Sequence, residues 1–261
     1  MASNLIRKEE LVNNPTPRIP ICLCLDTSGS MNAIEGECIR TGEIIYKDGQ
    51  EWEVAEGGTT RISELKKGIE LFYSAILEDE TARYSAEICI VSFNSTANKI
   101  KDFATLDSEE EIPELEVEGN TAMGEGVNLA LDLLEARKQE YKEAGVDYYQ
   151  PWLVLMTDGK PVGGSEIELK KAQTRTTELV NSKKLTIFPV GIGNEADKSA
   201  LEKFSPKFAP LKLQGLKFQE FFSWLSKSVS RTSQSTPGEK VPLDKEGISE
   251  WANLQGWDTL D

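Results

Sequence analysis

Short apolar runs alternate along the chain with segments whose apolar residues recur every three or four positions. Ile19 to Leu25 reads as a buried strand that ends in DTSGSM, and Ala86 to Phe93 and Trp152 to Met156 repeat the pattern, the latter ending in TDGKP. Leu185 to Val190 is a fourth such run and ends in GIG. Between them, Ile62, Leu65, Ile69, Phe72 and Ile76 fall at helical spacing, as do Val127, Ala130, Leu131 and Leu134, and Leu169, Ala172, Thr176 and Leu179. A short helix is expected near Asp197, and Phe218, Phe221, Phe222, Leu225 and Val229 mark a strong final one. Strands alternating with helices predict an α/β fold: a mostly parallel central sheet with helices on both faces. The piece 97–103 is expected to turn back on strand 86–93 as an antiparallel edge, with Asn94 and Ser95 between them.

Some segments break this rhythm. Residues 1–18 form an N-terminal arm ahead of a domain expected over 19–230. Residues 33–60 interrupt the path from the first strand to the first helix. There GEIIYKDGQEWEV reads as a hairpin around Asp48-Gly49, and the insertion holds seven acidic and two basic residues, a net charge of −5. Residues 231–247 have a linker composition, and the tail 248–261 carries Trp251 and Trp257. Two tryptophans so close together are costly to leave in water and are expected to bury against the body or a partner.

Charge and composition narrow the chemistry. The 261 residues carry 29 Lys+Arg and 44 Asp+Glu, a net charge of −15, which argues against nucleic acid and against a basic membrane patch. With no histidine, the chain can build no Ser-His-Asp or Cys-His nucleophile and no His-ligated zinc or haem. Cys22, Cys24 and Cys89 lie in apolar strands and read as small core residues, while Cys38 has a polar context. No run approaches the roughly 18 apolar residues of a spanning helix, and the N-terminus is unlike a signal peptide, so a reduced, cytoplasmic setting is expected.

Three polar clusters are expected at one edge of the sheet, where open α/β sheets bind ligands. They are Asp26-Thr27-Ser28-Gly29-Ser30, Gly119-Asn120-Thr121-Ala122-Met123-Gly124 and Thr157-Asp158-Gly159. Their donors are all oxygen, with carboxylates at 26 and 158 and hydroxyls at 28, 30 and 121. Hard oxygen ligands select Mg²⁺, and Mn²⁺ or Ca²⁺ less firmly. Two carboxylates balance a divalent ion without overwhelming it, so an outside carboxylate could still be drawn to a water-filled position. Gly29 is expected to let the first loop turn sharply.

DTSGSM after a strand, GNTAMGEG before a helix and TDG after another strand resemble the metal-ion-dependent adhesion site of von Willebrand factor A (vWA) domains, in the right order over about residues 15–230. That resemblance implies a Rossmann-like fold in which Ser28, Ser30 and Thr121 ligate the ion and Asp26 and Asp158 act directly or through water. NPTPRIPICLCLDTSGSM and ISELKKGIELFYSAI further resemble the bacterial TerY-like branch, associated with tellurite resistance and stress operons. This implies an intracellular protein with Ser/Thr kinase and PP2C-type phosphatase partners. The insertion 33–60 departs from that pattern. Were it to lie over the metal face, Glu35 or Glu37 could take the open coordination position.

The function these residues point to is a non-enzymatic module that docks an acidic residue of a partner protein through Mg²⁺. One rival is a Mg²⁺-dependent aspartyl-phosphate phosphotransfer enzyme with Asp26 as nucleophile, but such enzymes need a second Asp where Ser28 stands. Another is an adaptor for an AAA+ or chelatase-like ATPase, whose motor would be a separate protein because the chain has no P-loop. The turns at Gly191-Ile192-Gly193 and Gly163-Gly164 read as a tight turn and a helix entry rather than a dinucleotide loop.

Overall fold

The first strand, β1 (Ile19–Asp26), is buried along its whole length, and alternation splits it between two cores. Ile19, Ile21, Leu23 and Leu25 join one hydrophobic cluster, and Cys22 and Cys24 join the other together with Cys89. A strand buried on both faces belongs inside a covered sheet, and β1 lies there in the computed structural model. The structure describes residues 13–47, 49–107, 111–193, 196–213, 217–243 and 259–260.

After β1 come β2 (Ile34–Lys47), β3 (Gln50–Thr60), α1 (Arg61–Glu78), the single turn α2 (Ala82–Ser85), β4 (Ala86–Phe93) and β5 (Ala97–Ala104). There follow α3 (Met123–Ala144), β6 (Trp152–Thr157), α4 (Glu166–Asn181), β7 (Thr186–Ile192), α5 (Lys198–Glu202), β8 (Leu211–Leu213), α6 (Phe218–Ser233), β9 (Val241–Pro242) and β10 (Thr259–Leu260). The main sheet has six strands in the order β5–β4–β1–β6–β7–β8. Its pairings are parallel except β4–β5, which is antiparallel, as the sequence pattern predicts. Helices α1 and α6 cover one face, with Ile62, Leu65, Ile69, Phe218, Phe221 and Phe222 in the first core. Helices α3 and α4 cover the other, supplying Val127, Leu131, Ala172 and Val180 to the second.

The insertion forms a separate two-stranded ribbon, β2–β3. It is longer than the predicted hairpin and reaches from Ile34 to Thr60, with register shifts after Glu35 and Arg40. Asp48 lies outside the described residues. Ile39 and Tyr46 are 72% and 74% exposed, so among the described side chains these apolar groups of the ribbon face solvent.

The stretch 231–247, a linker by composition, packs on the body as far as it is described. Helix α6 continues to Ser233, the Tyr149 hydroxyl donates to the Ser235 carbonyl at 2.6 Å, and Val241 and Leu243 are buried. Polar residues hid this contact because it is made by backbone carbonyls and two isolated apolar side chains. Trp251 and Trp257 lie outside the described residues, as do residues 1–12. Among the described residues no helix is long and apolar enough to cross a membrane.

At the N-terminal edge of the sheet lies a charge network centred on a buried carboxylate. Glu87 on β4 accepts hydrogen bonds from Arg137 Nε at 2.7 Å and Tyr141 Oη at 2.6 Å, both on α3. Its other oxygen lies 3.1 Å from Arg18 Nε. All four residues are buried, and burial with Glu87 beside it pushes the Tyr141 hydroxyl well above its usual pKa.

Candidate metal centre

In the sheet order, the neighbours of β1 run one way through β4 and the other way through β6. The carboxyl ends of β1 and β6 therefore flank the crevice where such sheets bind ligands. Asp26 is the last residue of β1, and Asp158 follows the last residue of β6. Two carboxylates separated by 132 positions in sequence thus meet because their strands are hydrogen-bonded neighbours.

Asp26 is fully buried. One carboxylate oxygen accepts the backbone N–H of Ser28 at 2.9 Å, an Asx turn that folds the loop back over the strand end. The other accepts the Thr157 hydroxyl at 2.5 Å. Burial raises its pKa from 3.8 to about 6; the Ser28 and Thr157 hydrogen bonds pull it down, and the Asp158 charge pushes it up further.

From Ser28 the donors run in a chain. Its Oγ lies 3.0 Å from Ser30 Oγ, and Ser30 donates to Asp158 Oδ1 at 2.7 Å. The 3₁₀ turn Gly29–Asn32 places Ser28 and Ser30 side by side. Gly29 itself does not adopt a left-handed conformation, and a Cβ there would find ordinary contact at 3.6 Å from the Gly119 carbonyl. The sharp turn expected of Gly29 comes instead from the Asx turn. The position that needs glycine is Gly119, with φ +66° and Ser95 Oγ where a Cβ would stand.

Thr121 reaches the same edge through its loop. Gly29 N–H donates to the Gly119 carbonyl at 3.0 Å, Glu118 N–H to Thr27 at 3.0 Å and Thr121 N–H to Val162 at 2.8 Å. Among the described residues no hydrogen bond joins the Thr121 side chain to the other four. The two glycines of Met123-Gly124-Glu125-Gly126 serve packing. A Cβ on Gly124 would meet Leu169 N at 2.4 Å and one on Gly126 the Phe93 ring at 2.7 Å, so α3 lies tight on α4 and β4.

Sequence reasoning missed Arg61. Its Nη1 donates to Asp158 Oδ2 at 2.7 Å, and its Nε donates to Glu35 Oε1 at 2.7 Å. Burial alone would lower the guanidinium's pKa, but Asp158 and Glu35 more than reverse this and hold it charged. The only signal was an arginine directly after the N-cap Thr60 of α1, which says nothing about a carboxylate 97 positions on. Glu35 therefore meets the site through Arg61 rather than on the ion's ligands, and Glu37 is exposed.

The donor set suits a hard cation. Among the described residues no three His, Cys, Asp or Glu side chains gather as a metal cluster, so any ion here would be held by two carboxylates and by hydroxyls. Oxygens of that kind, already in contact with one another, fit Mg²⁺ or Mn²⁺ and would serve a soft thiophilic metal poorly.

The von Willebrand factor type A domain model matches residues 65–211, more than half of the chain. The chain belongs to the von Willebrand factor type A domain family. Solved vWA structures share its fold at low identity. A von Willebrand factor type A protein from Catenulispora acidiphila superposes with a TM-score of 0.55 at 16% identity, over 83% of this chain and 43% of that one. The vWF domain of the type V pili tip protein Mfa5 from Porphyromonas gingivalis gives 0.56 at 11%, over 86% and 99%. Proximal thread matrix protein 1 from the mussel byssus, solved with a zinc-occupied MIDAS (metal-ion-dependent adhesion site) motif, gives 0.50 at 16%, over 84% and 47%. The chain thus spans about half the length of two of these three. None of the curated proteins matches it in sequence.

Proposed function

We propose that this vWA domain is a non-enzymatic protein-binding module that docks an acidic residue of a partner through a divalent cation, Mg²⁺ in the first instance. The observation that carries the reading is the continuous contact from Asp26 through Ser28 and Ser30 to Asp158 at the sheet's crevice, with Thr121 on the adjoining loop. The zinc-occupied site of the mussel relative supports it.

When bound, the ion supplies a Lewis-acidic point for an incoming carboxylate. The chain's residues do the rest. Ser28 and Ser30 present neutral oxygens, so the site keeps charge in hand for an outside ligand. Thr157 and the Ser28 N–H orient the Asp26 carboxylate, and Arg61 and Ser30 orient Asp158. Preorganised donors lose little entropy on binding.

Phosphotransfer through Asp26 is disfavoured, because the second Asp that such enzymes place two residues on is Ser28 here. The TerY-like resemblance supports a cytoplasmic place in a bacterial stress or defence system with kinase and phosphatase partners, within a domain over 19–230. Pull-down of the wild type and of Asp26→Ala from cells, each with and without EDTA, tests the docking role. Partners held by the wild type alone, and released by EDTA, are expected. Identical captures under all four conditions would contradict it.

A further inference from the structure

We propose that Arg61 is a second receptor for the docked acidic residue, and that Glu35 holds its place on the guanidinium until a partner's carboxylate displaces it. The inference deepens the function proposed above and rests on it for the presence of the metal.

The guanidinium has two carboxylate partners of different character. Asp158, on Nη1, has no exposed side-chain surface, whereas Glu35, on Nε, is 27% exposed. Asp158 is also fixed by Ser30 and by its place at the end of β6. Glu35 belongs to a ribbon paired only with itself and exposed beyond its base. Releasing Glu35 therefore breaks one ion pair near the surface, while releasing Asp158 would strand a buried charge. The outer carboxylate is the exchangeable one.

The arginine is held where exchange can occur. Its backbone starts α1 and donates to the Ala33 carbonyl at 3.2 Å, and Gly193 leaves the room its side chain and Glu35 occupy. A Cβ on Gly193 would stand 3.1 Å from Glu35 Oε1 and 3.4 Å from Arg61 Nη2. The planar guanidinium fork suits an oxyanion such as a carboxylate above neutral oxygen ligands.

Charge then selects the partner. Asp26, Asp158 and Glu35 against Arg61 leave a net of −2, which a divalent ion neutralises. Replacing Glu35 by a partner's Asp or Glu keeps that balance. A hydroxyl or carbonyl would leave the buried guanidinium with Asp158 but without its second carboxylate, and the site with an unbalanced positive charge. The surface is thus matched to an acidic side chain received by a cation and an arginine together.

Glutarate, titrated by calorimetry with Mg²⁺ and again with EDTA, is the probe. Glu35→Ala is expected to bind it at least about tenfold more tightly than the wild type, the scale of one charge-assisted hydrogen bond. The gain is expected to disappear in Glu35→Ala/Arg61→Gln. Should that variant not fold, Glu35→Ala/Arg61→Lys keeps the charge without the fork and is expected to lose several-fold of the gain. No gain in Glu35→Ala, or a gain undiminished by either arginine substitution, would overturn the inference. A gain equal in Mg²⁺ and EDTA upholds Arg61 as receptor while sinking the metal reading. Binding that depends on Mg²⁺ but ignores Glu35→Ala does the reverse.

Discussion

Two guanidinium–carboxylate networks sit at opposite edges of one sheet, built from the same groups and set to different ends. At the N-terminal edge, Glu87 takes Arg137, Tyr141 and Arg18, all buried, and Arg137 reaches on to the exposed carboxylate of Glu140. At the carboxyl edge, Arg61 joins buried Asp158 to half-buried Glu35, and Asp158 belongs at once to a row of serine and aspartate oxygens. In the first, both oxygens of the central carboxylate are taken by buried partners. The second grades outward from a fixed carboxylate to an exchangeable one. Ion pairing by itself therefore says little about role; what differs is whether the buried carboxylate also faces other hard donors, as Asp158 does through Ser30.

Breaking the inner network gives the largest expected effect. Glu87→Ala leaves two guanidinium groups beneath the surface and should cost about 3–5 kcal/mol in urea unfolding. Its Mg²⁺ response is expected to persist, since the carboxyl edge is untouched. A change below about 1 kcal/mol would remove the contrast between the edges.

The outer network should answer to metal more than to denaturant. Magnesium at 100 times its dissociation constant is expected to stabilise the wild type by about 2.7 kcal/mol, and Asp158→Asn to lose that increment. Thermal melting with and without Mg²⁺ measures both.

Asp26→Asn sharpens the difference because its two effects run in opposite directions. Burial lifts Asp26 to about 6 from 3.8, so the folded, metal-free chain holds this proton more tightly than the unfolded one. That contribution is fully present below about pH 4 and is lost as pH rises through about 6, a swing on the order of 3 kcal/mol. At pH 8 the metal-free Asp26→Asn protein is expected to be more stable than the wild type by about 1–3 kcal/mol, yet to gain nothing from Mg²⁺. Unfolding curves at pH 4, 6 and 8 check the sign.

The smallest effect belongs to the ribbon. Replacing residues 37–56 by a short turn, with Glu35 and Arg61 kept, should change stability by about 1 kcal/mol or less, because Ile39 and Tyr46 bury little. A larger loss in the melting curve would mean that the ribbon supports the site from below.

Much of this was legible in the sequence because it is local. The run ICLCL places cysteines on one face of β1 and leucines on the other, and period-3.6 spacing marks the four long helices. The mostly parallel sheet followed from the alternation of strands and helices, and with it the expectation that Asp26, Thr121 and Asp158 share one edge; the order of the strands did not. Arg61 was hidden because its partners lie 26 residues before it and 97 after it, and no local pattern announces an ion pair at that range. Thr157 was visible as part of the cluster Thr157-Asp158-Gly159, but its role was not. Its hydroxyl meets Asp26 only because β6 lies beside β1, a pairing at long range in sequence. The short β8 was missed because three residues of LKL carry too little periodicity to stand out.

The central claim is that oxygens from Asp26, Ser28, Ser30, Thr121 and Asp158 together hold one divalent cation. Titration of Mn²⁺, followed by loss of the free ion's electron paramagnetic resonance signal, tests it most directly. The account expects one ion per wild-type chain, displaced by Mg²⁺, with binding weakened at least about tenfold in Ser28→Ala and Ser30→Ala. A wild-type chain that leaves the free Mn²⁺ signal unchanged, or serine variants that bind as well as it does, would contradict the account.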